Sequence, residues 1–187
     1  KARTAMHGLA RFKCAMRVSS SAKDAEKYWA IRRESFNLLR AKIKGRQTAP
    51  FVDDIIVPPE SLSQFLPELN ALFTPYKNDM TYTIAGHAGN GNFHIIPLMD
   101  LSSARVRRII PMLTDAVYAL VIRYGGSITA EHNDGIVRTP YLPQMYGAEV
   151  YALFEKTKRI FDPQNIFNPH KKVGGTKEYA LSHMRTE

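Results

Sequence analysis

Ile84-Ala85-Gly86-His87-Ala88-Gly89-Asn90-Gly91-Asn92-Phe93-His94-Ile95-Ile96 sets two histidines about an Asn-Gly pair with β-prone residues on either side. Asn-Gly is the strongest short signal for a two-residue hairpin turn, because both central residues of a type I′ turn take positive φ. A turn centred on Asn90-Gly91 predicts that His87 and His94 are directly opposed. Opposed residues on an antiparallel pair share a face, with Cβ atoms about 4.5–5.5 Å apart. Two imidazoles are then set to grip one metal ion or one substrate; histidines that only hydrogen-bond locally are the alternative reading.

A second segment, Ser127-Ile128-Thr129-Ala130-Glu131-His132-Asn133-Asp134-Gly135-Ile136-Val137-Arg138, follows a helix that ends at Gly125-Gly126. It reads as a short strand over 127–131 that breaks at Asn-Asp-Gly. Alternation puts Glu131 and His132 on opposite faces of such a strand, which predicts different roles for them. Two histidines and one carboxylate with an open position are the donor set of catalytic zinc and other divalent sites. His87, His94 and Glu131 are therefore the candidate ligands, against the plainer reading of Glu131 as a loop carboxylate paired with an arginine.

Around these segments the apolar patterning predicts strands at 11–18 and 51–57, a hairpin of 81–85 with 93–98, and the short strand at 127–131. Helices are predicted over 22–44 behind the Ser19-Ser20-Ser21 cluster, from 59 or 60 to 73, over 103–124 and over 143–161. A hairpin beside helices means α+β, an antiparallel or mixed sheet covered by helices. In the long helix the apolar stripe Ala25, Trp29, Phe36, Leu39, Ile43 leaves Arg32 to complete the face. A guanidinium on a core-facing stripe needs an anion. Glu131 or Asp53 would serve structurally, and a substrate carboxylate would serve by a bidentate bond.

At 187 residues and 44% hydrophobic content the chain is long and apolar enough for one globular domain with a sizeable core. No apolar run reaches the roughly 18 residues of a membrane span, and no long apolar stretch follows the first basic residues as in a signal peptide. Cys14 is the sole cysteine, which excludes an intrachain disulfide and an iron-sulfur cluster held by this chain alone. Residues 1–50 hold 13 Lys/Arg against 3 Asp/Glu, whereas residues 51–187 hold 13 against 14. The net charge of +9 thus arises in the first segment. A basic stretch suits an acidic partner domain, an anionic membrane surface or nucleic acid. No zinc-finger, helix-turn-helix or RRM signature supports the last. The expected location is cytoplasmic, with the basic segment able to lie peripherally on a membrane.

Three ordered motifs carry a resemblance. The run Gly86-His87-Ala88-Gly89-Asn90-Gly91-Asn92-Phe93-His94, the Glu131-His132 run closing at Gly135, and Phe161-Asp162-Pro163-Gln164-Asn165-Ile166-Phe167-Asn168-Pro169 resemble the C-terminal part of the FAD-linked oxidases. That family includes D-lactate dehydrogenases, glycolate oxidase subunits and D-2-hydroxyglutarate dehydrogenases. Asn90 stands where the family usually has Asp, and Asn133-Asp134-Gly135 where it usually has Gly-(Ile or Val)-Gly. The resemblance implies that residues 1–187 are a ferredoxin-like substrate or cap domain, with FAD bound mainly by an N-terminal domain outside this chain. It implies oxidation of a 2-hydroxy acid to a 2-oxo acid by hydride transfer to flavin, with an electron-transfer partner downstream. Zinc or manganese on His87, His94 and Glu131 would hold the substrate, and His132 would remove the hydroxyl proton. Arg32, within Trp29-Ala30-Ile31-Arg32, would bind the substrate carboxylate. A metal- or anion-binding module acting through a protein partner, and a basic nucleic-acid-binding domain, are the alternatives from other classes.

Overall fold

In the computed structural model, residues 2–13 and 15–185 are described, and the chain divides into two units, residues 1–44 and 45–187. The second unit is built on the expected hairpin, strands β3 (Met80–His87) and β4 (Asn92–Met99). Its connection is longer than a two-residue turn. A 3₁₀ turn at Ala88–Asn90 ends on Gly91 at φ +74°, and the last pairs are His87 with Asn92, Gly86 with Phe93 and Ala85 with His94. The two histidines are diagonal neighbours, not directly opposed as predicted. The cause is tertiary: Gly91 accepts the Val57 N–H through its carbonyl, and a Cβ at position 91 would lie 1.8 Å from the Val57 oxygen. A slip of two residues preserves the face, because side chains alternate with a period of two.

β4 is the centre of the sheet. β3 lines one edge, while β1 (Gln47–Thr48) and β2 (Ile55–Ile56) line the two ends of the other, all antiparallel. The strand expected over 51–57 survives only as β2, because Asp54 sits at φ +63° and breaks the extended run. The strand expected over 127–131 shrinks to a single bridge between Ser127 and Ile56. With α3 (Leu62–Phe73) and α4 (Ala104–Arg123) in the two connections, the order is β-α-β-β-α followed by that bridge. This is the ferredoxin-like order with a split first strand and a vestigial fourth.

Phe93, Ile95 and Met99 of β4 join Phe65, Leu69 and Phe73 of α3 and Val106, Ile110, Leu113 and Val117 of α4 in one buried core. Alternation then turns Asn92 and His94 to the opposite face of β4. The Ser103 hydroxyl accepts the Val106 N–H and starts α4. Inside the core the Tyr118 hydroxyl donates to the Phe51 carbonyl at 2.8 Å, tying α4 to the segment that leads into Asp53. Burial pushes that phenol's pKa up. α5 (Gly135–Arg138), α6 (Leu142–Phe161), broken at Gly147 where φ is +80°, and α7 (Lys177–Ser182) complete the unit.

Beyond α6 the backbone folds around one carboxylate. Asp162 is nearly buried, pairs with Lys158, and accepts the N–H groups of Ile166 and Phe167 at 2.9 Å each. The Lys158 bond, together with those two N–H groups, outweighs burial and holds the Asp162 carboxyl below its ordinary 3.8. A carboxyl whose folded pKa lies below its unfolded one favours folding at every pH above the unfolded value. That contribution fades as pH falls below the ordinary value toward the folded one. Melting temperature should therefore drop on acidification below about pH 4, and an Asp162→Asn variant should lose that component of the acid sensitivity. An unchanged acid limb in the variant would remove Asp162 from the account.

Residues 1–44 contain α1 (Ala2–Leu9) and α2 (Ala22–Lys42), the latter started by the Ser21 hydroxyl accepting the Asp24 N–H. No strand forms over the described part of 11–18, where a 3₁₀ turn at Ala10–Phe12 is followed by irregular backbone; Cys14 lies outside the described residues. The apolar face of α2 is not buried within this unit. Trp29 is 55% exposed, Ala25, Leu39 and Ile43 are only half-buried, and the Phe36 side chain lies outside the described set. Arg32 is likewise exposed, with its guanidinium 6.0 Å from the Trp29 ring centroid. It is not the buried cation that its stripe predicted, because nothing described in residues 1–44 covers that stripe. No helix among the described residues is long and apolar enough to cross a membrane.

Candidate active site

Asp54 organises the site. Its left-handed backbone turns the carboxylate inward, where it is fully buried. One oxygen accepts the backbone N–H groups of Ala130 (2.9 Å), Glu131 (3.0 Å) and His132 (2.8 Å), and the other accepts the Asn92 amide at 3.1 Å. Burial alone would raise its pKa, but these donors outweigh it and hold the carboxyl below its ordinary 3.8. The segment 130–132 is thus pinned to the β2–β4 edge by one side chain. Because this segment is a pinned loop and not a strand, alternation does not separate its side chains. Glu131 and His132 reach the same cluster, contrary to the opposite faces expected of them.

The cluster converges on one atom. Glu131 Oε1 lies 2.7 Å from His94 Nε2, 3.5 Å from His87 Nε2 and 4.0 Å from His132 Nε2. The His94 and His132 rings stack with centroids 4.7 Å apart and planes 12° from parallel, while His87 meets His94 edge-on at 6.0 Å. On the far side of the stacked pair, Asp53 Oδ2 lies 3.1 Å from His132 Nδ1 and Asp53 Oδ1 lies 3.3 Å from His94 Nδ1. Glu131, His87 and His132 are each about half exposed, so the focus opens to solvent.

Four residues, Asp54, His94, Glu131 and His132, offer ligand atoms all within 4.8 Å of one another. Asp54 does not suit that role, since its lone pairs are committed to the N–H groups that shape the loop. The exposed His87 Nε2, already 3.5 Å from Glu131 Oε1, is the better third donor beside His94 and Glu131. Imidazole nitrogens and a carboxylate oxygen gathered about one point match the chemistry of a divalent transition-metal site.

Of the residues singled out from sequence, His87, His94, Glu131 and His132 come together here. Arg32 belongs to the other unit. Arg138 is a clamp: buried, it donates to the Asn133 carbonyl at 2.8 Å and to the Asp53 carbonyl. The Tyr141 hydroxyl donates to Asp115 at 2.7 Å, which Lys177 also meets. Sequence reasoning missed Asp54 and Asn92. The available signal was an acidic pair, Asp53-Asp54, immediately before the apolar Ile55-Ile56-Val57, where a buried strand should hold no charge.

Residues 2–172 match the family described as FAD linked oxidases, C-terminal domain. The chain is 33% identical over 146 residues to a D-2-hydroxyglutarate dehydrogenase of Escherichia coli, covering 78% of this chain and 14% of that protein. It is 29% identical to a mitochondrial D-lactate dehydrogenase [cytochrome] of Arabidopsis thaliana over 78% of this chain and 25% of the relative. It is 27% identical to the glycolate oxidase subunit GlcD of Bacillus subtilis over 81% and 32%. The chain therefore spans a third or less of the length of these relatives.

Proposed function

The chain belongs to the family of FAD-linked oxidase C-terminal domains, and on that premise we propose that it forms the substrate side of a flavin-dependent 2-hydroxy acid dehydrogenase. The observation that carries the reading is the convergence of the His94, His87 and His132 Nε2 atoms on Glu131 Oε1. Three imidazoles and a carboxylate at the open edge of a sheet fit a small anionic substrate better than they fit a structural role. The relatives' names all refer to 2-hydroxy acids, and the proposed reaction converts such an acid to its 2-oxo acid.

His87, His94 and Glu131 would hold a divalent cation, zinc or manganese by donor type. When bound, such an ion would supply Lewis acidity toward a hydroxyl, and FAD, held mainly by a separate domain, would supply the hydride acceptor. The chain's own residues do the rest. His132 takes the hydroxyl proton as general base, and Arg32 grips the substrate carboxylate through its planar fork. Asp54 and Arg138 hold the loop that presents Glu131 and His132. Residues 1–50 carry the positive charge and form the face toward the flavin domain, an association that salt should weaken.

Metal uptake tests the site. The protein supplied with zinc or manganese is expected to retain the ion through desalting, and a His87→Ala/His94→Ala double variant to lose it. Uptake that is the same in the double variant would remove these residues as ligands.

A further inference from the structure

We infer that Lys172 is a positioning residue: it reaches from the tail beyond α6 to Asp134 and fixes the far end of the loop that presents Glu131 and His132. This deepens the proposed function and rests on that reading of the two residues. Asp54 holds the near end of the loop through the N–H groups of residues 130–132. Just past His132 the chain turns inward. Asn133 takes φ +63°, and Asp134 is 1% exposed where Glu131 and His132 are about half exposed. Both Asp134 carboxylate oxygens are shut from solvent, and no hydrogen bond among the described residues reaches either. What meets them is charge: the Lys172 ammonium forms an ion pair with Oδ2. A buried carboxylate without a counter-charge is very costly, so Asp134 stays inside only while Lys172 reaches it.

The backbone of Lys172 grips the same segment. Its N–H donates to the Thr139 hydroxyl at 2.8 Å, and that hydroxyl donates in turn to the Gly135 carbonyl. Gly175 presses on the same side chain, since a Cβ there would lie 2.7 Å from Thr139 Cγ2. The tail itself is fastened on both sides of Lys172. Before it, the Asp162 carboxylate gathers Lys158 and the N–H groups of Ile166 and Phe167. After it, the Gly174 N–H donates to the Tyr151 hydroxyl at 3.1 Å, and Lys177 pairs with Asp115 at 2.7 Å. The motif at 161–169 thus has a task in this chain, which is to aim a lysine at the loop. Position 134 is one where the family usually has Ile or Val, residues that need no counter-charge. The ion pair therefore belongs to this chain's departure from that pattern.

Asp134→Asn combined with Lys172→Met removes both charges at nearly constant volume and strands neither, so the chain should still fold. Hydrogen exchange of the metal-free double variant should be about 10-fold faster across 130–138 than in the unmodified protein. In chelator competition with zinc ion as the probe, the double variant should bind about 10-fold more weakly, at an unchanged far-ultraviolet circular dichroism spectrum. Lys172→Arg keeps the charge and should retain both properties. Lys177→Met cuts a tail ion pair that does not touch the loop, and it should leave both unchanged. Exchange at 130–138 that is the same in the double variant would overturn the inference. So would faster exchange at unchanged zinc affinity, because the loop would then be anchored without its ligand being positioned. An equal loss in Lys177→Met would overturn it too, by reducing the tail to general stability. If the unmodified protein takes up no zinc, the metal reading fails by itself, and exchange still decides whether Lys172 anchors the loop.

Discussion

Replacing His132 with alanine in the flavoenzyme that carries this domain is expected to lower the rate of flavin reduction by about 10²- to 10⁴-fold, the usual contribution of a positioned general base. The expectation is specific because His132 has little else to do in the fold. Its ring is about half exposed, its polar and ring contacts are with Asp53, Glu131 and His94, and its backbone N–H, which does hold the loop, survives the substitution. Melting temperature and substrate affinity should therefore change little while single-turnover reduction collapses, a loss confined to the transition state. A His132→Ala enzyme that reduces its flavin at the normal rate would eliminate this residue as the base. Loss of stability without loss of rate would make it a structural residue.

Asp54→Ala should produce the opposite pattern. Three backbone N–H groups and the Asn92 amide would lose their acceptor together. A buried donor left unpaired costs about 1–3 kcal/mol, so stability should fall by at least about 3 kcal/mol even after some relaxation toward water. For a chain of this size that corresponds to roughly 6–12 °C in melting temperature. Metal affinity should fall with it, because the segment that carries Glu131 and His132 is no longer pinned. A shift of less than about 2 °C by differential scanning calorimetry would show that the loop is held by something else.

Asp54 also marks the limit of what the sequence discloses. The hairpin was legible because glycine and asparagine state their backbone preferences locally. The shared face of His87 and His94 was legible too, since a two-residue slip in register leaves side-chain direction unchanged. The register itself was not, because it depends on Gly91 packing against the Val57 carbonyl, a contact across the sheet. Asp54 was invisible for the same reason: the loop N–H groups it accepts lie 76 to 78 residues further along the chain, and Asn92 38 residues on. The reading of 127–131 as a strand failed beyond Ser127, because side chains, above all the Asp54 carboxylate at 130 and 131, and not a neighbouring strand, satisfy its N–H groups. On α2 the apolar stripe is thin, because charged residues crowd the helix, and such a stripe shows which face could be covered and not what covers it. Of the stripe, Trp29 stays exposed and Arg32 with it, while Ala25, Leu39 and Ile43 are half-buried.

The bonds from Asp54 to Ala130 and His132 have a consequence in time. They close a loop that holds a whole helix, a hairpin and a second helix, so the entropy of closing it must be met before any contact at the site rewards it. Sheet and helices can collapse first; the two ends of this loop meet late. On the ribosome, Asp53, His87 and His94 emerge well ahead of Glu131, and a nascent chain carries half a cluster that cannot yet grip an ion or present a base. If the cluster holds an ion as proposed, loading waits on the closing of this loop, and a chain that stalls before residue 132 is docked has no complete site to load.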